Sequence, residues 1–170
     1  MNDSLLNLKP VSRIRRNHGL EHATINILSK RFPKEKFGGV SSPMGFFIIG
    51  EVTSEDVAEA AIDALKRLRA GDAGLAIHSS CGTNYAVPGI FAGMAAWLGT
   101  LGSGKSVKSK LERLPISIML ATLALILTRS LGPVVQKQFV VAGDPEGLEL
   151  ERVETVVRMG MRMHRVLTKG

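Results

Sequence analysis

Cysteine is almost missing from this chain of 170 residues: Cys81 is the only one. No internal disulfide framework can be built from it. Aromatic residues are scarce at 5%, with one Trp and one Tyr. No zinc-finger, RRM or KH pattern is present, so sequence-specific reading of nucleic acid is disfavoured. The first residues, MNDSLLNLKPVSRIRRNHG, lack the apolar core of a signal peptide. Together with the lone cysteine this points to an intracellular chain. Acidic residues are the minority charge, 15 against 22 Lys and Arg, for a formal net charge of +7. Such a balance calls for an anionic partner, either nucleic acid or lipid headgroups. A mean hydropathy of +0.14 and a pI of about 9.9, with the apolar residues clustered, favour lipid. The length allows one domain, or one small domain with an appendage.

Residues 1–16 read as a loose lead-in with Pro10 and a basic cluster at Arg13, Arg15 and Arg16. From His18 to Arg31 the apolar residues Leu20, Ala23, Ile27 and Leu28 recur at helical spacing, and Pro33 ends the run. The stretch FGGVSSPMGFFIIGEV predicts a β-hairpin over residues 37–52. Ser54 is the expected cap of a helix whose first turn carries Glu55 and Asp56. Val57, Ala60, Ala61, Ala64 and Leu65 form its apolar face, and Lys66, Arg67 and Arg69 close it. AGLAIHSS predicts a buried strand ending at His78, and CGTN a turn. The C-terminal stretch after residue 135 supports either helix or strand, with MRMHRV alternating; a two-stranded ending that joins the first sheet is the expectation. His164 in that stretch is expected at the surface or a sheet edge.

Two segments carry no long-lived charge pattern at all. Tyr85–Gly102 has no charged residue, and Leu114–Val135 has one, Arg129. Both sit at the short end of the length a membrane helix needs, about 17–25 residues. Gly89 and Gly93 form a Gly-x-x-x-Gly, the pattern that lets membrane helices approach closely and that could bring a second copy of the chain alongside. A basic linker, residues 103–113, joins the segments. The competing reading is a pair of helices buried in a soluble core or an oligomer interface, but a small soluble domain rarely needs two helices apolar all round. Counting positive charge would place the linker in the cytoplasm and both flanking segments outside. The N-terminal region is itself basic and long, which favours a cytoplasmic soluble part.

The chemistry concentrates in two blocks. His18-x-x-Glu21-His22 puts three polar side chains on one helical face. His78-Ser79-Ser80-Cys81 adds a third histidine and the cysteine. Imidazole and thiolate are good ligands for zinc and related ions. His18, His22, His78 and Cys81 are therefore the predicted metal ligands, with Cys81 alternatively a nucleophile. Four ligands would close a structural site, whereas three plus water would be catalytic, with Glu21 as general base. The bland alternative is a polar helix face and a small buried thiol. His-x-x-Glu-His also occurs in inverzincin proteases, but those draw a further carboxylate from downstream, where Glu112 is the only candidate in the apolar region. GTLGSGKS, residues 99–106, formally matches a P-loop but follows an apolar small-residue segment rather than a buried strand.

NHGLEHATINIL and HSSCGTNY together resemble, over most of the chain, an uncharacterised family of small bacterial membrane proteins known only as a domain of unknown function. His18, Gly19, Glu21 and His22, then His78, Cys81, Gly82 and Thr83, are more distantly similar to a larger family of predicted metal-dependent bacterial membrane enzymes. That family carries His-Gly-Ala-Glu-His and His-x-x-Cys-Gly-Thr blocks beside membrane helices; Leu20 replaces its usual Ala. The resemblance implies a metal-dependent, membrane-bound protein and no particular substrate.

The sequence thus predicts an α+β fold: a small sheet with two helices and an inserted two-helix membrane hairpin. The expected organisation is a metal-site region at 1–84, the hairpin at 85–135 and a C-terminal segment at 136–170. The expected function is a metal-dependent hydrolase of the bacterial inner membrane, with zinc as the ion and the lipid bilayer as partner. The alternatives are a non-enzymatic anchor or assembly protein with a structural metal site, and a P-loop-like nucleotide binder.

Overall fold

The computed structural model describes residues 6, 8–158 and 160–170. Of the expected lead-in, residues 1–5 and 7 lie outside the described residues; most of the rest is helix. Helix α1 runs Lys9–Arg31 and takes in the basic cluster. Pro10 sits in its first turn, where a missing N–H costs nothing, so this proline starts the helix rather than breaking it. The hairpin follows as β1 (Gly38–Ser42) and β2 (Gly45–Ile49). Gly45 has φ 139°, and a Cβ there would run into the Val166 carbonyl.

Helix α2 spans Ser54–Arg69. Its cap is Thr53, not Ser54: the Thr53 hydroxyl accepts from the Asp56 N–H while the Asp56 carboxylate accepts from the Thr53 N–H. The stretch expected as a strand ending at His78 is instead a 3₁₀ turn, Ala73–Ala76, with the Leu75 N–H bonded to the Asp72 carbonyl. A four-residue apolar run has too few residues for its period to separate these states. At the C-terminus, β3 (Glu149–Arg158) and β4 (Met161–Lys169) are both strands. Met159, between these two strands, lies outside the described residues.

The sheet is antiparallel throughout, in the order β1-β2-β4-β3. In this register His164 on β4 stands between Ile48 and Thr155. It is 1% exposed on an interior strand, which overturns the surface or edge placement. Helices α1 and α2 pack on each other and on the sheet. Leu20, Leu28, Phe46, Ile48, Val57, Leu148 and Val166 form the centre of the core, all essentially buried. Burying each of the larger ones contributes about 1.5–3 kcal/mol.

Residues 79–136 form a second compact unit. It contains α3 (Thr83–Thr100), α4 (Val107–Glu112), α5 (Leu114–Thr128) and α6 (Leu131–Val135), the last continuing into a π-helical turn at Gln136–Val140. Helices α3 and α5 are antiparallel. A Cβ on Gly99, late in α3, would lie 2.7 Å from Ser117 Cα early in α5, and one on Gly132 in α6 would lie 2.7 Å from Asn84 Cα early in α3. The described residues are thus α+β, with a four-stranded antiparallel sheet and six α-helices. Among the described residues no single helix is long and apolar enough to cross a membrane. The second apolar segment, expected as one helix, is broken: Leu114–Thr128 and Leu131–Val140 meet at 51°, and only together have they the length and apolar composition of a span. Pro133 explains the bend, since it lacks the N–H and crowds the carbonyl one turn back.

Candidate metal centre

Each residue of the His18–His22 block has a separate structural task. Leu20 is in the core. Gly19 lets other chain segments close on α1: a Cβ there would strike the Ala142 carbonyl and touch Ala76 Cβ at 3.4 Å. The return segment is held at that point by the Ala142 N–H, which bonds to the Arg15 carbonyl at 2.9 Å. Asn17 is fully buried and ties the turn between β1 and β2 to the end of β4. It donates to the Ser42 carbonyl at 2.8 Å and accepts from the Thr168 hydroxyl at 2.8 Å.

His18 and His22, one turn apart, place their rings edge to face with centroids 4.3 Å apart. His22 is buried, and its Nδ1 lies 2.8 Å from the Ala76 carbonyl oxygen. A carbonyl can only accept, so Nδ1 carries the proton. Burial is the main influence on the ring and pushes its pKa below the ordinary value. The neutral ring therefore keeps its lone pair on Nε2, the state a metal ligand requires.

His78 sits beside this pair, its ring centroid 5.7 Å from that of His22. Its orientation is set by Asn26, which the sequence reading missed. The Asn26 amide donates to the carbonyls of Leu75 and Ile77, both at 2.9 Å. Its oxygen is left to accept, and His78 Nδ1 donates to it at 2.8 Å. The His78 lone pair is thus also on Nε2. Burial first, and the neighbouring His22 second, hold its pKa below the ordinary value. The signal for Asn26 was available: it lies four residues after His22, as His22 lies four after His18.

Glu21 points elsewhere. Its carboxylate accepts from the Ser41 hydroxyl on β1. Gly39 makes room for it, since a Cβ there would lie 2.6 Å from Glu21 Cδ. Burial raises the Glu21 pKa above the ordinary carboxylate value, against the opposing influence of Ser41 and His22. Ser41 and Gly39 were not singled out in the sequence, because nothing in one strand marks which helix residue it covers.

On α1, His18 and His22 offer two ligand nitrogens one turn apart, and His78 stands beside His22. Cys81 is buried, with its thiol 3.5 Å from the Thr83 hydroxyl. His164 on β4 has a partner of its own: its Nδ1 lies 3.0 Å from the Ser54 hydroxyl. The P-loop-like stretch runs from the last turn of α3 to Ser106, the cap of α4, and so follows a helix rather than a strand.

The model of the domain of unknown function DUF6391 matches residues 13–153. The chain belongs to this family. The match takes in both chemistry-bearing blocks and all six helices in whole or part. An uncharacterised protein of Picosynechococcus sp. is 37% identical, over 56% of this chain and 53% of its own length. The chain therefore spans about half of that relative. No solved structure matches.

Proposed function

We propose that this DUF6391 protein is a membrane-associated, metal-dependent hydrolase whose ion is held by His18, His22 and Cys81. The observation that carries the reading is the imidazole pair on α1: His18 and His22 stand one turn apart, with His22 neutral and its proton fixed on the nitrogen bonded to Ala76. Nitrogen and sulfur donors together suit zinc. Three protein ligands leave a fourth position, and bound there a zinc ion supplies Lewis acidity and a water of lowered pKa. Glu21 is the residue for proton transfer once its carboxylate leaves Ser41 and turns toward the ion, and burial makes it a stronger base than an exposed one. The membrane part of the reading rests on the hairpin. Ile90, Trp97, Ile118, Met119, Ile126 and Leu127 are each more than half exposed on helices without charge.

The fixed orientation of His78 favours a second reading, in which it closes the set as a fourth ligand and the centre is structural. Cobalt substitution separates the two. In the hydrolase, added azide shifts the visible cobalt bands of the wild type, because a position is open. In the structural centre azide does nothing until His78→Ala opens one. A cobalt spectrum without thiolate-to-metal charge transfer, unchanged in Cys81→Ala, would remove Cys81 from either version.

A further inference from the structure

We infer that the segment linking α3 to α5 is an anionic-lipid contact that selects headgroups of net negative charge. This rests on the membrane reading above and names the lipid class. Residues 101–114 are exposed except for Ser103 and Ser109, which are partly covered. The segment carries Lys105, Lys108, Lys110 and Arg113 against one acid, Glu112. Among the described residues no ion pair holds any of these four cations.

The serines, not the charges, shape the segment. Ser106 caps α4 by accepting from the Ser109 N–H at 3.2 Å, and the Ser109 hydroxyl donates to the Gly104 carbonyl at 2.8 Å. The serines therefore hold the backbone of the segment, and the exposed lysines project from it without an ion pair among the described residues. Between them lies an apolar row at helical spacing: Val107 is 73% exposed, Leu111 59% and Leu114 49%. Trp97, in the last turn of α3, is 63% exposed. Cations beside exposed aliphatic residues and a tryptophan match the layered chemistry of a headgroup region, where a purely aqueous setting leaves the apolar row without a partner. Each lysine near an anionic surface strengthens partition by about fivefold.

The test is flotation of the full chain with vesicles of phosphatidylcholine alone or mixed with phosphatidylglycerol. The expected result is stronger partition into the mixed vesicles, lost with added salt. The Lys105→Gln/Lys108→Gln/Lys110→Gln variant should lose about a hundredfold on mixed vesicles at low salt and nothing on phosphatidylcholine. Its circular dichroism should be unchanged, since these side chains pack against nothing. Inorganic phosphate at matched ionic strength should not displace the chain. Equal partition into both vesicles, or an unaffected triple variant, would overturn this inference and leave the membrane reading standing. Absence of partition into either vesicle would overturn both.

Discussion

Leu28 and Ile126 are both aliphatic residues inside helices, yet Leu28 is fully buried and Ile126 is 67% exposed. The contrast extends to the units around them. In residues 6–78 with 137–170, apolar side chains face a common core, and buried polar groups such as Asn17, His22 and Thr24 have hydrogen-bond partners within the unit. In residues 79–136 the helices are more apolar, yet Ser117 is the only residue of α5 that is buried. Hydrophobic content alone therefore does not identify a core. The first unit has amphipathic elements with a sheet to cover them; the second has two long helices, α3 and α5, without a charged side, and that supports an apolar surrounding for them.

The largest test of this contrast is truncation on each side of it. Leu28→Ala should lower unfolding stability by about 2–5 kcal/mol, while Ile126→Ala in detergent should stay within about 0.5 kcal/mol. Denaturant melts read both; equal losses would show that Ile126 packs against protein.

Glycines sharpen the comparison at a smaller scale. Gly39→Ala forces a methyl onto the Glu21 carboxylate and should cost about 1–3 kcal/mol. Gly93→Ala meets nothing within 4 Å and should be neutral or stabilising by up to about 1 kcal/mol, the usual helix preference for Ala. A thermal melt in which Gly93→Ala is the costlier change would point to a neighbour for that face, such as a second copy of the chain.

The smallest effect is a pH dependence confined to the first unit. Burial holds His164 below its ordinary value of 6.5, with Arg162 adding to the shift and Glu55 and the backbone of Val52 and Gly50 opposing it. Below 6.5 the unfolded chain takes up a proton that the folded chain refuses. The stability is thus full above that pH and lost as pH falls through the lower folded value. His164→Asn, which can still bond to Ser54, should flatten the Tm profile between neutral and mildly acidic pH; an identical profile would assign the dependence to other groups.

The legible parts of the fold were those with a period or a cap. Helix α2 announced itself through Val57, Ala60, Ala61 and Ala64, and the first hairpin through Ser-Pro between apolar runs. The start of α1 was missed because Pro10 was taken as a loop residue, although proline is at home in a first helical turn. His164 was misplaced for a different reason. Strand β4 has Met163 and Leu167 on one face and His164, Val166 and Thr168 on the other; composition favours the first, but the second is the buried one. Register, which no single strand encodes, decided between them. For the site, the sequence marked His18, His22 and Cys81 by residue type. It left Asn26, Ser41 and Gly39 unmarked, because their roles exist only once α1 meets the 73–78 segment and β1.

The central claim is that His18, His22 and Cys81 hold a metal. The most direct measurement is the metal content of the purified full chain by mass spectrometry, beside the His18→Ala/His22→Ala variant. The account predicts about one zinc ion per chain in the wild type and none in the variant. A wild-type chain that stays metal-free when zinc, iron and manganese are offered in turn would contradict it.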